Sequence, residues 1–191
     1  MQYEAKDFSS LMGIEGLSEN LFSNHFVLYQ GYVKNTNLIM QNSAVQAKDS
    51  VEYAELRRRF GWEFNGMRLH ELYFENLTKS PEPIENYPDL FNKIQLDFGS
   101  VEKWQEDFKA MGMMRGIGWV VLYHDRWDDH FFNTWIGEHD SGHLTGCRPL
   151  IVMDLFEHAF MLDGLRKPDY IDKVISSLDW LSADERMKAI A

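Results

Sequence analysis

The segment 153–160, MDLFEHAF, places Asp154 and His158 four residues apart among apolar neighbours and Glu157, at the end of a run that has the composition of a buried strand. Burying a carboxylate or an imidazole is costly unless it is paired, hydrogen-bonded or bound to a metal. Two more of the seven histidines, His25 and His70, fall inside apolar stripes of helical spacing. One buried histidine is ordinarily satisfied by hydrogen bonds, but three together with a buried aspartate point to a shared ion. Three imidazoles and one carboxylate make a nitrogen and oxygen donor set suited to iron, manganese or zinc, with room for one solvent molecule. His139 and His143, at i, i+4, are an alternative ligand pair. His124 and His130 flank a polar turn and read as solvated.

The elements that must position these residues follow from periodicity and punctuation. Ser18 is a helix cap ahead of Leu21, Phe22, His25, Leu28, Tyr29 and Tyr32, which recur at helical spacing. A second helix over about 51–77 carries Phe60, Phe64, Met67, His70, Phe74 and Leu77 on one side, and the two can pair as an antiparallel hairpin. Residues 77–90 hold three of the five prolines and read as a linker. Ser100 caps a further amphipathic helix bearing Val101, Trp104, Phe108 and Met111. GIGWVVLYHD and HFFNTWIG form a β-hairpin around 126–129, RPLIVMD is a third strand, and the chain ends in helices, with SADE (182–185) as a capping box. The expected order is two helices, linker, helix, three strands and two helices. This is an α+β fold: an N-terminal antiparallel α-hairpin, 1–84, followed by an α/β lobe, 85–191, with a three-stranded antiparallel sheet and flanking helices. Hairpin and lobe each supply two of the four candidate ligands.

Composition narrows the function. With 191 residues, 45% of them hydrophobic, the chain can bury a sizeable core. A formal net charge of −11 argues against nucleic acid and anionic membranes as partners. No apolar run is long enough for a membrane span. The first residues, MQYEAKDFSS, lack a basic start and an apolar stretch, and the one cysteine, Cys147, has no internal partner. A cytoplasmic protein is the expectation.

Several segments resemble the iron/manganese superoxide dismutases, in the same order and over nearly the whole chain. LSENLFSNHF is similar to the family's first-ligand helix, YVKNTN to its Tyr-Val segment and LHELYFENL to its second-ligand helix. GIGWVVL resembles its Gly-x-Gly-Trp strand, MDLFEHAF its Asp-x-Trp-Glu-His-Ala-Tyr motif, and KPDYIDKVISSLDW its terminal helix. The resemblance implies that His25, His70, Asp154 and His158 bind one metal ion per chain, with superoxide as substrate. It implies that Tyr32 is a gateway residue and that Trp119 and Phe156 wall the pocket. Glu157 would reach the metal-binding histidine of a partner subunit in a homodimer, and whether dimers pair further is left open. Dismutation needs a redox couple, which zinc lacks.

The departures from the family pattern carry their own expectations. His25 and Tyr32 are one residue closer than is usual, yet seven residues is nearly two helical turns, so both still share one face. The family's interface histidine falls at Leu28 and its cross-dimer tyrosine at Met161, so a polar bridge is replaced by apolar residues. Lys167, beside Arg166, stands where an arginine is usual. The glutamine that bonds the metal-bound solvent in many relatives is absent from the second helix, where Gly66 sits; His139, preceding Asp140, takes that role and joins Tyr32 in handling protons. Val152, two residues before Asp154, favours iron over manganese. Arg68 and Lys34 are candidates for attracting the anionic substrate. The competing expectations are a metal protein of this fold with oxidase or peroxide chemistry, and a non-catalytic structural homologue.

Overall fold

A computed structural model of the chain describes residues 2–189. Among the described residues there are six α-helices and one three-stranded antiparallel sheet. Helix α1 (Glu19–Val45) begins where the serine signal places it, with Ser18 Oγ accepting from Leu21 N at 3.0 Å. Helix α2 (Val51–Glu75) starts in the same way, Ser50 Oγ accepting from Tyr53 N at 3.1 Å. Each serine satisfies an amide that the helix itself leaves unpaired. The two helices form the expected antiparallel hairpin. His25 meets Phe74 near one end, Tyr29 donates to Glu71 at 3.0 Å in the middle, and Asn35 donates to Glu63 at 3.2 Å further along.

The stretch 77–90 departs from the expected linker. Leu77 and Ile84 are buried in the core, and helix α3 (Pro88–Phe98) starts inside the stretch, with Leu90 and Ile94 fully buried. Pro88 stands in the first turn, where its missing N–H costs nothing, so a residue that reads as a breaker initiates a helix instead. Gly99, at φ +88°, ends that helix in the left-handed conformation that glycine tolerates best. Ser100 then caps α4 (Val101–Gly112) by accepting from Lys103 N at 3.2 Å.

The hairpin of β1 (Gly118–Asp125) and β2 (His130–Gly137) and the third strand β3 (Cys147–Asp154) match expectation, in the order β2-β1-β3. The register between β1 and β3 shifts at Leu122/Tyr123, beside Pro149, which has no N–H for the ladder. Both faces of β1 are covered, since every residue from Gly118 to His124 is buried. His124, expected in solvent, is among them and bonds Asp129 at 2.8 Å, whereas His130 is exposed.

The end of the chain is two helices, α5 (Lys167–Ser176) and α6 (Trp180–Lys188). The SADE segment lies inside α6 and does not cap it. Asp179 takes the cap position, its carboxylate accepting from Leu181 N at 3.3 Å. Arg186 of α6 then ties three elements together, donating to Leu150 O on β3 at 2.8 Å and to Leu72 O on α2 at 3.1 Å, and pairing with Glu75 at 2.9 Å. One continuous core, with Phe22, Tyr73, Phe74, Trp104, Trp119 and Tyr170 wholly buried, joins the hairpin to the sheet.

Candidate metal centre

Four elements deliver one donor each to a single point. His25 comes from α1 and His70 from the facing side of α2. Asp154 is the last residue of β3, opposite Trp119 on β1. His158 follows in a short 3-10 turn, Glu157–Ala159. Asp154 Oδ1 accepts from Phe156 N at 2.7 Å, closing a local turn that brings His158 round beside it. The other oxygen, Oδ2, lies 3.1 Å from His158 Nε2, 3.2 Å from His25 Nε2 and 3.6 Å from His70 Nε2. One ligand atom from each of the four residues lies within 4.8 Å of all the others.

This arrangement fits a cation. His70 Nδ1–H donates to Gly66 O at 2.5 Å, one helical turn back, which leaves the lone pair of Nε2 aimed at the cluster. That nitrogen is buried and, among the described residues, has no hydrogen-bond partner. An unsatisfied buried group of this kind costs about 1–3 kcal/mol. Burial pushes the His25 and His70 imidazoles below their ordinary titration range, so both are neutral donors. Burial would raise the Asp154 carboxyl, but the adjacent His158 and His25 hold it well below the usual carboxylate range. The donor set is one negative charge and three imidazole nitrogens in a largely buried pocket, and a divalent or trivalent ion would supply the missing counter-charge.

Aromatic side chains enclose the donors. The Trp119 ring stands edge-on to His70 at 4.9 Å, Phe156 stacks on His158 at 5.3 Å, and Tyr32 stacks on His70 at 5.1 Å. His139 is wholly buried beside them. Its Nδ1 accepts from the Trp119 indole N–H at 3.1 Å, and its Nε2 lies 2.7 Å from Tyr32 Oη. An indole nitrogen can only donate, so neutral His139 carries its proton on Nε2 and donates to Tyr32. Tyr32 keeps its own proton to give elsewhere. Burial is the main reason that His139 is pushed down to about 4 and Tyr32 up to about 12.

Tyr32 needs Gly66. A Cβ at that position would lie 2.6 Å from the Tyr32 ring. The seven-residue spacing from His25 works as the helix geometry requires, with α1 unbroken across it.

The other sequence candidates separate. His139 and His143 do not face a common ion: both His139 nitrogens are engaged as described, and His143 bonds Tyr123 Oη at 2.8 Å and His139 O at 2.9 Å. Arg68 is bound to Glu71 at 2.5 Å and stacks over Tyr3, and Lys34 is exposed on α1. The cation whose field reaches Tyr32 and His139 is Arg59, which stacks on Trp62 at 4.8 Å and pairs with Glu63 at 2.7 Å. Trp62, 4.7 Å from the His139 ring, is absent from the sequence candidates. Its position eight residues before His70, with Gly66 midway, puts it on the ligand-bearing face of α2 and is the signal that could have found it. Glu157 is exposed and, among the described residues, has no ion pair; it borders an open cleft of about 400 Å³ with Met113, Met114, Ile117, Phe160 and Lys167. Leu28 is half-buried and Met161 is exposed.

Residues 86–186 match the model of the family described as iron/manganese superoxide dismutases, C-terminal domain. The chain is 34% identical to the superoxide dismutase [Fe] of Aquifex pyrophilus, over 97% of this chain and 91% of that one. It is 33% identical to the superoxide dismutase [Fe] of Cupriavidus metallidurans, over 92% and 91%, and 29% identical to the superoxide dismutase [Mn] of Haloarcula marismortui, over 92% and 88%. The chain belongs to the iron/manganese superoxide dismutases.

Proposed function

We infer that the protein is a superoxide dismutase, converting two superoxide anions and two protons to dioxygen and hydrogen peroxide. One iron or manganese ion per chain would be held by His25, His70, Asp154 and His158. The observation that carries this reading is the convergence of three imidazole Nε2 atoms on the buried Asp154 Oδ2. A bound ion of this kind supplies one-electron exchange between two oxidation states, oxidising one superoxide and reducing the next.

The chain's own residues do the rest. Asp154 contributes the negative charge that favours a cation, and its second oxygen is fixed by the Phe156 amide. Trp119 and Phe156 exclude water. His139 donates to Tyr32 and so orients the tyrosine hydroxyl, whose proton is retained well above neutral pH and is available as peroxide forms. Arg59 lies near this gate but is paired with the buried Glu63, whose charge acts more strongly on Tyr32, and the chain's net charge of −11 repels the anion at long range.

Iron is the preferred ion in this reading, on the strength of Val152 two residues before Asp154. The boundary at 84/85 leaves a pair of ligands on either side. We also place the protein in the cytoplasm, in keeping with its single cysteine; among the described residues no helix is long and apolar enough to cross a membrane. Glu157, exposed and without an ion pair among the described residues, beside the half-exposed Met161 and Leu162, is assigned to a homodimer contact with the metal-binding histidine of a partner subunit. Oxidase or peroxide chemistry and a purely structural role are not favoured, since all four donors are in place and the relatives carry dismutase names.

The test is superoxide disappearance by stopped flow on protein loaded separately with iron, manganese and zinc, with bound metal quantified. The iron protein should clear superoxide at a rate within reach of the diffusional ceiling, about 10⁸–10⁹ M⁻¹ s⁻¹. Manganese should support slower clearance and zinc none. Stoichiometric iron and manganese without turnover would overturn the reading.

A further inference from the structure

The metal set leaves His143 without a role, although it lies one short turn from His139. Both sit in the segment that joins β2 to β3. That segment has little regular structure: Gly137 and Ser141 exchange backbone hydrogen bonds at 2.9 and 3.3 Å, and Glu138 between them adopts φ +55°. Gly142 and Gly146 follow at φ +100° and +83°. A left-handed residue that bears a side chain is disfavoured and persists only where surrounding contacts hold it. The His139 ring must meet two partners at once, so its backbone has little freedom to move.

His143 supplies the holding contact. A carbonyl only accepts, so His143 Nε2–H donates to His139 O at 2.9 Å, and the free Nδ1 accepts from the Tyr123 hydroxyl at 2.8 Å. The Asn65 amide, 3.4 Å from Nε2, faces a donor in this tautomer and adds no bond. Tyr123 is buried on the central strand β1, the strand that also carries Trp119. A rigid frame therefore runs from β1 through Tyr123 and His143 to the carbonyl of His139. Among the described residues, His139 and His143 are the only members of the 138–146 segment whose side chains make hydrogen bonds.

We propose that His143, held by Tyr123, is a positioning residue that fixes the backbone of His139 and thereby the two hydrogen bonds its ring makes to Trp119 and Tyr32. The proposal rests on the role of His139 given above.

Three variants of the full chain test it: His143→Leu, which can neither donate nor accept; His143→Gln, which can do both; and Tyr123→Phe, which removes only the outer bond. The first readout is exchange of the Trp119 indole proton with solvent, followed by NMR in the metal-free protein. His143→Leu should speed that exchange about tenfold, as expected for loss of roughly one hydrogen bond. In iron-loaded protein it should lower superoxide turnover about tenfold while one ion stays bound, in the range of outer-partner losses at metal sites. His143→Gln should restore both values, and Tyr123→Phe should fall between. Unchanged indole exchange in His143→Leu would overturn the proposal, as would equal impairment in His143→Gln or loss of the bound ion. His139→Leu separates the two levels: if that variant turns over normally, the role of His139 is wrong, whereas indole exchange still reports whether His143 positions the ring.

Discussion

Asp154→Asn should cost the protein its metal and with it both turnover and much of its thermal stability. The substitution keeps the shape of the side chain but removes the negative charge on which three imidazole nitrogens converge. It also places an amide where Oδ2 or Oδ1 now stands, so either the Phe156 N–H or the cluster meets a donor instead of an acceptor. Removing one partner of a buried, hydrogen-bonded charge pair costs roughly 2–5 kcal/mol. That converts to about 30-fold to 4,000-fold weaker metal binding. In the wild-type protein, a metal present at about a thousand times its dissociation constant stabilises by about 4 kcal/mol. For a chain of this size, removal of that metal by a chelator should lower Tm by roughly 10 °C. Calorimetry with and without added iron checks both halves. Wild type should gain this Tm increment on loading and Asp154→Asn should gain at most about half of it. An equal gain in both would show that the ion binds elsewhere.

His139→Leu should retain one ion per chain and lose about 10- to 100-fold in superoxide turnover, the range seen when groups behind metal ligands are removed. The leucine leaves the Trp119 indole N–H without an acceptor and Tyr32 Oη without its donor. His139→Gln can accept from the one and donate to the other, and should recover most of the activity. The same pair gives a pH signature. His139 titrates at about 4 in the folded protein, below its ordinary 6.5, because burial disfavours the charged ring. A depressed value means that the unfolded state binds the proton more tightly. The contribution of neutral His139 to stability is therefore complete above about pH 6.5 and is lost as pH falls towards 4. Denaturant unfolding of metal-free protein at about pH 7 and pH 5 should show wild type losing more stability on acidification than His139→Gln. His70 and His158 lie close enough to couple to His139, so the comparison reads His139 together with that coupling. Equal losses would mean that His139 is not held neutral by its burial.

Much of the centre is legible in the sequence because burying polar groups is expensive. His25, His70, Asp154 and His158 stand out as polar residues in apolar stripes, and the family resemblance points to the same four. Spacing cannot show that they converge, since that depends on the pairing of Trp119 with Asp154 across two strands and on the facing sides of α1 and α2. Helix starts signalled by serine are readable at Ser18 and Ser100, each of which accepts a hydrogen bond from the first helical turn, and Ser50 does the same for α2. Two helix starts are not. Pro88 has the same residue type whether it breaks a chain or opens a helix, and Asp179 competes for the cap with Ser182 only three residues on. The burial of His124 is hidden for a different reason: it depends on both faces of β1 being covered, which is a property of the tertiary packing and not of the local segment. Trp62 shares the four-residue spacing of Gly66 and His70 on α2, and His143 follows His139 by four, but that Trp62 meets the His139 ring and that His143 bonds the His139 carbonyl are contacts that spacing alone does not reveal.

The most direct measurement is anomalous diffraction at the iron edge from crystals of iron-loaded protein. A single peak per chain, bonded to the Nε2 atoms of His25, His70 and His158 and to Asp154 Oδ2, is the expected result. A strong peak at any other group of residues, or none in protein that carries stoichiometric iron and removes superoxide, would contradict the assignment of this centre.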